Sequence, residues 1–143
     1  MNQNNCPHDF QCRLSIQIRM TDIDPLNHVN NGIFASYYDL GRLNYFQTLG
    51  SSFALSDIDL VLVHTEFDFM ESVRFEDKIA VESKITHLGK KSVQMWQRII
   101  DLTTMNVKST CFSVLSGYDK VNNTSKEISA QFVELVKKFE KIE

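Results

Sequence analysis

The sequence predicts an α+β fold, with one antiparallel sheet wrapped around a single long apolar helix. Three patterns carry that expectation. A stretch after the first strand-like run is apolar over most of a helical circumference, as a buried helix is. Four strand-like runs follow it without interruption. A last segment repeats apolar residues at spacings of three and four, as an amphipathic helix does. Strands gathered on one side of a buried helix form a two-layer α+β architecture.

The elements follow in order. The first nine residues, MNQNNCPHD, are polar and are expected to be a flexible start. From Phe10 to Arg19 the chain alternates, so that Phe10, Cys12, Leu14, Ile16 and Ile18 share one face of a strand. The loop TDIDPLNHVNN is dense in turn and cap residues, with Asn30 or Asn31 as the N-cap of a helix that runs to about Leu49. That helix carries Ile33, Phe34, Tyr37, Tyr38, Leu40, Leu43, Tyr45 and Phe46; Gly41 permits a close approach and Gly50 terminates it. The strands run from Leu60 to Met70, Lys78 to His87, Val93 to Leu102 and Val107 to Tyr118, the last two joined as a hairpin near Thr103 to Asn106. Ser125 caps a terminal helix reaching Glu143, whose apolar face holds Ile128, Phe132, Leu135, Val136, Phe139 and Ile142. A sheet of this kind leaves unpaired edges, and pairing with a second copy is a natural way to cover one.

Size and composition bound the function. A chain of 143 residues suits one domain, taken as residues 1–143, and can bury roughly 68–70% of its unfolded surface without disulfides. Its formal net charge of −3 argues against a general nucleic-acid binder, which needs a basic face. Phosphate on a ligand must therefore meet a few placed cations. Cys6, Cys12 and Cys111 have no metal-ligand spacing and read as reduced thiols of a cytoplasmic protein. No run approaches the roughly 18 apolar residues of a membrane span.

Chemistry concentrates between Arg19 and Phe34. Asp24 lies a few residues before the buried helix, and Pro25 keeps it out of helical angles. A helix start offers unpaired N–H groups and a positive dipole end, which can polarise an acyl carbonyl. A carboxylate beside that carbonyl can attack it or activate a water that does. Read from the residues alone, the loop is a binding or acyl-transfer site.

The segment from Arg19 to Phe46 resembles the signature of the 4-hydroxybenzoyl-CoA thioesterase family, within the hotdog superfamily. Its pattern is met by Asp22, Asp24, His28, Val29, Asn30, Asn31, Tyr37, Tyr38, Asp39 and Arg42, and the order of elements matches from about Phe10 to Phe139. The resemblance implies the hotdog fold: a five-stranded antiparallel sheet around a long central helix, with a C-terminal helix. It implies an acyl-CoA thioesterase in which Asp24 is nucleophile or general base, and Asn31, or Gly32 beside it, supplies the N–H that polarises the carbonyl. His28 falls where some branches, including plant acyl-carrier-protein thioesterases, carry a functional histidine. Those relatives also use an asparagine two places after the aspartate, where this chain has Leu26. His28 is thus a third catalytic candidate, or else orders the loop by hydrogen bonding. Lys90, Lys91 and Ser92, in the turn Gly89–Ser92, match the family's basic cluster for the phosphates of coenzyme A.

Further expectations follow. Asp22 braces the loop, Asp39 pairs with Arg42, and Trp96 and Phe112 pack the sheet. Asp22, Asp24 and His28 could mimic a metal triad, but the resemblance implies no metal and no cofactor, coenzyme A being part of the substrate. It implies a homodimer or a dimer of dimers with each site between subunits, and a channel whose length depends on residues 50–58 and 60–70. Two rivals stand beside this reading. One is a non-catalytic domain that binds acyl thioesters; the other is a hydratase, whose histidine setting is missing around His28. An acyl-carrier-protein thioester is the alternative substrate, since an acidic carrier could use the same lysines.

Overall fold

The predicted strands form; burial alternates along residues 12–16, whereas residues 79–83 are buried without a break. The structure, a computed structural model, describes residues 5–50 and 58–142. Within them the chain runs β1 (Cys12–Ile16), α1 (Asn31–Thr48), β2 (Leu60–Phe69), β3 (Ile79–Leu88), β4 (Ser92–Asp101), β5 (Val107–Asp119), β6 (Thr124–Ser125) and α2 (Ala130–Glu140). The order across the sheet is β1-β3-β4-β5-β2, with the two-residue β6 added to β5. The named pairings are antiparallel. The architecture is the hotdog fold, with α1 lying across the sheet. β1 and β2 form the two edges of the main path.

Helix and sheet meet closely because Gly41 has no side chain. A Cβ there would lie 2.5 Å from Val81 Cγ1 and 2.8 Å from Gln97 Nε2. Two apolar clusters fill the space between them. One holds Ile18, Val29, Phe34, Tyr37 and Tyr38 near the start of α1; the other holds Tyr45, Phe46 and Leu49 near its end, closed by Phe132 and Val136 of α2. Between them runs a buried polar strip. Arg42 donates to Gln97 Oε1 at 2.9 Å and pairs with Asp39 at 2.6 Å, while Gln97 donates to the Tyr38 carbonyl at 2.9 Å. A buried guanidinium is tolerable only when it is partnered in this way.

The structure corrects two expectations. Ser125 is not the cap of the last helix: it pairs with Tyr118 in β6, and Ser129 caps α2 by accepting from the Phe132 N–H at 3.1 Å. The cause is Gly117, over which the chain folds back so closely that a Cβ would meet the Lys126 carbonyl oxygen at 2.2 Å. Second, α1 is not buried all round, since Leu40 and Leu43 remain 49% and 45% exposed. Ahead of the first strand, Cys6 is buried, the His8 carbonyl accepts from Arg98 at 3.3 Å and Asp9 pairs with Lys84 at 3.3 Å. Residues 1–4 and most of the 50–58 loop lie outside the described residues.

Candidate active site

The loop between β1 and α1 is built on a buried aspartate. After β1 the chain makes a short 3-10 turn, Met20–Asp22. Asp22 accepts from the Arg19 N–H at 3.0 Å, from the Arg19 guanidinium at 3.0 Å and from the Tyr37 hydroxyl at 2.7 Å. Burial pushes its carboxyl up, but these donors outweigh that and hold it below the ordinary carboxylate value. Burial and the bond to Asp22 in turn push the Tyr37 hydroxyl up. Asp22 thus ties the loop to α1 through Tyr37, bracing it as its position suggests.

Two residues later the chain turns on Asp24. Its N–H donates to the His28 carbonyl at 2.8 Å, and its Oδ1 accepts from the N–H groups of Leu26 at 2.9 Å and His28 at 3.0 Å. Asn27 closes this turn at φ 60°, a left-handed conformation that asparagine tolerates better than most residues. The second oxygen, Oδ2, has no hydrogen-bond partner among the described residues. Outside ties fix the turn: the Val29 N–H donates to the Val73 carbonyl at 2.7 Å, and Asn27 Nδ2 reaches Glu76 at 3.2 Å.

The helix start distinguishes the two candidate donors. Asn30 is the N-cap, and its Oδ1 accepts from the Gly32 N–H at 2.9 Å. The Ile33 N–H donates to the Asn30 carbonyl at 2.8 Å. The Asn31 N–H is left without a partner among the described residues, at the positive end of an 18-residue helix. Gly32 is therefore the occupied donor and Asn31 the open one.

Asp24, His28, Asn30 and Asn31 line one side of a cavity of about 540 Å³. Val29, Phe34, Phe69, Met70, Glu71 and Ser72 complete its lining. Phe34 and Phe69 meet edge to face at 5.1 Å. The sequence pattern carried Phe69 as a strand residue but offered no sign of Glu71 or Ser72, which follow the last alternating position.

Lys90, Lys91 and Ser92 lie elsewhere. They occupy the β3–β4 turn, where Lys90 pairs with Glu127 at 3.3 Å and the Lys91 carbonyl accepts from Gly117 at 2.8 Å. Asp24 borders the opposite end of the sheet, and a ten-residue strand such as β3 spans roughly 30 Å. One chain does not bring the lysines and Asp24 together. Among the described residues no cluster of three or more His, Cys, Asp or Glu side chains could hold a metal ion, and Asp22, Asp24 and His28 form no such triad. His64 pairs with Glu66 at 2.9 Å, and Trp96 packs on Phe112 at 5.2 Å. No described helix is long and apolar enough to cross a membrane.

Known proteins share this outline. The model of the thioesterase-like superfamily matches residues 18–136. No curated protein matches the chain. Among solved structures, a thioesterase of Thermus thermophilus, complexed with coenzyme A and Zn, is 24% identical with a TM-score of 0.83, over 94% of this chain and 98% of that one. A Staphylococcus aureus protein in complex with CoA gives 13% and 0.81, over 92% and 84%. A DHNA-CoA thioesterase of the same organism gives 16% and 0.77, over 92% and 91%. At these identities the structures establish the shared fold.

Proposed function

Because this chain belongs to the thioesterase-like superfamily, we propose that it hydrolyses an acyl thioester of coenzyme A with Asp24 as the central catalytic residue. Within that superfamily we set it beside the 4-hydroxybenzoyl-CoA thioesterases, on the motif from Asp22 to Arg42. One observation carries the reading. Asp24 has one oxygen tethered by two backbone donors and the other unpartnered, in the same cavity as Asn31, whose N–H is open. A carboxylate fixed in this way is ready to act without reorganising, and the helix start is ready for an oxyanion.

The chemistry then has two forms. In one, the Asp24 carboxylate takes a proton from water as the water oxygen bonds to the thioester carbon. The carbonyl oxygen becomes an oxyanion on the Asn31 N–H; the intermediate collapses, the C–S bond breaks, and the thiolate leaves with the proton that Asp24 took. In the other, Asp24 attacks the carbon itself, expels the thiolate and forms an anhydride, which water hydrolyses. Both need the carboxylate ionised. We give His28, which lines the cavity, two duties: its backbone N–H holds Asp24 Oδ1, and its side chain relays to the departing sulfur the one proton that Asp24 took from water. Coenzyme A enters as part of the substrate, and the reaction as written takes only water besides. The expected setting is the cytoplasm.

The distant lysines enter through a second copy. β2 is an edge strand, with Leu62 and Val63 43% and 58% exposed. Two copies joined antiparallel along β2 would set the Lys90 end of one beside the Asp24 end of the other. Lys90, Lys91 and Ser92 would then meet the phosphates of a coenzyme A whose thioester lies in the partner's cavity. A dimer of dimers keeps the same arrangement, and an acidic carrier protein could approach the same lysines.

The test is thiol release from short, long and aromatic acyl-CoAs by the wild type and by Asp24→Asn. Wild-type turnover, reduced by about 10²-fold or more in the variant, supports the reading. A folded wild type that binds acyl-CoA and releases no thiol would instead be a binding domain.

A further inference from the structure

On the reading that the Asp24 cavity is the active site, we propose that Lys108 is a positioning residue: it holds residues 70–72 as part of the cavity's wall and cancels the charge that Glu71 presents there. β2 ends at Phe69, so beyond it the wall has no strand pairing of its own. One residue of β5 replaces it. The Lys108 carbonyl accepts from the N–H groups of Met70 at 2.9 Å and Glu71 at 3.2 Å. Its ammonium donates to the Ser72 carbonyl at 3.2 Å, pairs with Glu71 Oε2 at 3.2 Å and lies 3.9 Å from Asp77.

The Lys108 side chain is only 12% exposed, whereas that of Glu71 is 48% exposed. An ammonium taken this far from water is costly unless its partners compensate, and here all of them belong to the loop that walls the cavity. The same loop continues to Val73, Phe75 and Glu76, which hold the Asp24 turn through Val29 and Asn27. Lys108 therefore supports the wall directly and the turn one step removed.

Charge gives the second half of the proposal. Asp24 and Glu71 are both carboxylates lining the cavity. A coenzyme A thioester is polyanionic, and like charges set against each other weaken association. With Lys108 paired to Glu71, Asp24 is the carboxylate left without a cationic partner among the described residues that line the cavity. Remove the ammonium, and Glu71 repels the ligand while the Ser72 carbonyl loses its anchor.

The experiment compares Lys108→Met, Lys108→Arg, Glu71→Gln and the double variant Lys108→Met/Glu71→Gln. Each is assayed for thiol release with the fastest acyl-CoA of the panel, and for binding of the coenzyme A thioether with the same chain, which cannot be hydrolysed. Lys108→Met should raise KM about tenfold and weaken thioether binding in step, while kcat changes less than about threefold. Lys108→Arg, which keeps the cation, should stay near wild type; Glu71→Gln, which removes the anion, should bind the thioether no more weakly than wild type, and adding it to Lys108→Met should recover the part of the affinity lost through charge. A KM unmoved by Lys108→Met overturns the proposal. So does a loss that Glu71→Gln leaves wholly unrepaired, because a lysine that merely stabilised the fold would behave so. The thioether separates this idea from the one beneath it. Thioether binding that depends on Lys108, without turnover, would sink the hydrolase and keep the wall; turnover indifferent to Lys108 would do the reverse. No binding of the thioether by the wild type overturns both.

Discussion

Apolar clusters underlie both ends of α1, but what adjoins each end differs. At its C-terminal end Tyr45, Phe46 and Leu49 are closed in by Phe132 and Val136 of α2 and by Val93, Met95 and Leu115 of the sheet. At its N-terminal end the preceding loop hangs on hydrogen bonds: Asp22 to Arg19 and Tyr37, Asp24 to Leu26 and His28, Asn27 to Glu76, Val29 to Val73. Apolar packing fills space, while directional bonds fix positions and can leave a cavity open beside them. Both ends therefore contribute packing, and the N-terminal end adds a frame for reactive groups.

Variants at the two ends should fail differently. The largest effect belongs to the apolar end. Phe46→Ala should cost about 3–5 kcal/mol, read as a fall in Tm, with the activity of the remaining folded protein little changed. At the middle of the helix, Gly41→Ala drives a methyl into Val81 and Gln97 and should cost about 1–3 kcal/mol.

Asp22→Asn strikes the polar end. It should cost about 1–3 kcal/mol and lower turnover, since the Arg19 and Tyr37 donors lose their anion. The sign of its pH dependence is fixed by the depressed carboxyl: its stabilisation is present above the ordinary value of 3.8 and is lost as pH falls through the folded value. Acid titration of Tm in wild type and variant checks this, with the two curves converging at low pH.

Glu140 gives the smallest effect and the opposite sign. It is buried in the apolar end, where Oε2 accepts from the Tyr45 hydroxyl at 2.6 Å and the Ile85 N–H at 3.3 Å while Oε1 has no partner among the described residues. Burial raises its carboxyl above the ordinary 4.5, so the fold favours the neutral form. That contribution is present below 4.5 and is lost as pH rises through the folded value. Glu140→Gln mimics the neutral acid. It should melt above wild type at about pH 8, and the gap should close towards acid pH.

The same contrast explains what could be read from the sequence. Strands and helices came through because burial imposes periodicity: the expected hairpin forms on Asp101, whose side chain accepts from Thr103 at 2.8 Å, and Asn30 caps α1. Asp24, His28 and Asn31 stood out because they crowd into one motif beside a helix start, and they line one cavity. Residues brought in by tertiary folding left no such mark. Glu71 and Lys108 lie 37 positions apart in sequence and meet at 3.2 Å only because β2 pairs with β5. Lys90 and Lys91 show the converse: they fit a motif, yet a single chain keeps them at the other end of the sheet from Asp24. Ser125 and Ser129 are both plausible caps by type, and the fold-back over Gly117 decided between them.

The most direct test pairs thiol release with thermal unfolding of Asp24→Asn in the same preparation. An asparagine oxygen can still accept from Leu26 and His28, so the turn should persist and stability should stay within about 0.5 kcal/mol of wild type. The account predicts that release falls about 10²-fold or more while Tm holds. Release within about threefold of wild type, or a loss that merely follows unfolding, would contradict it.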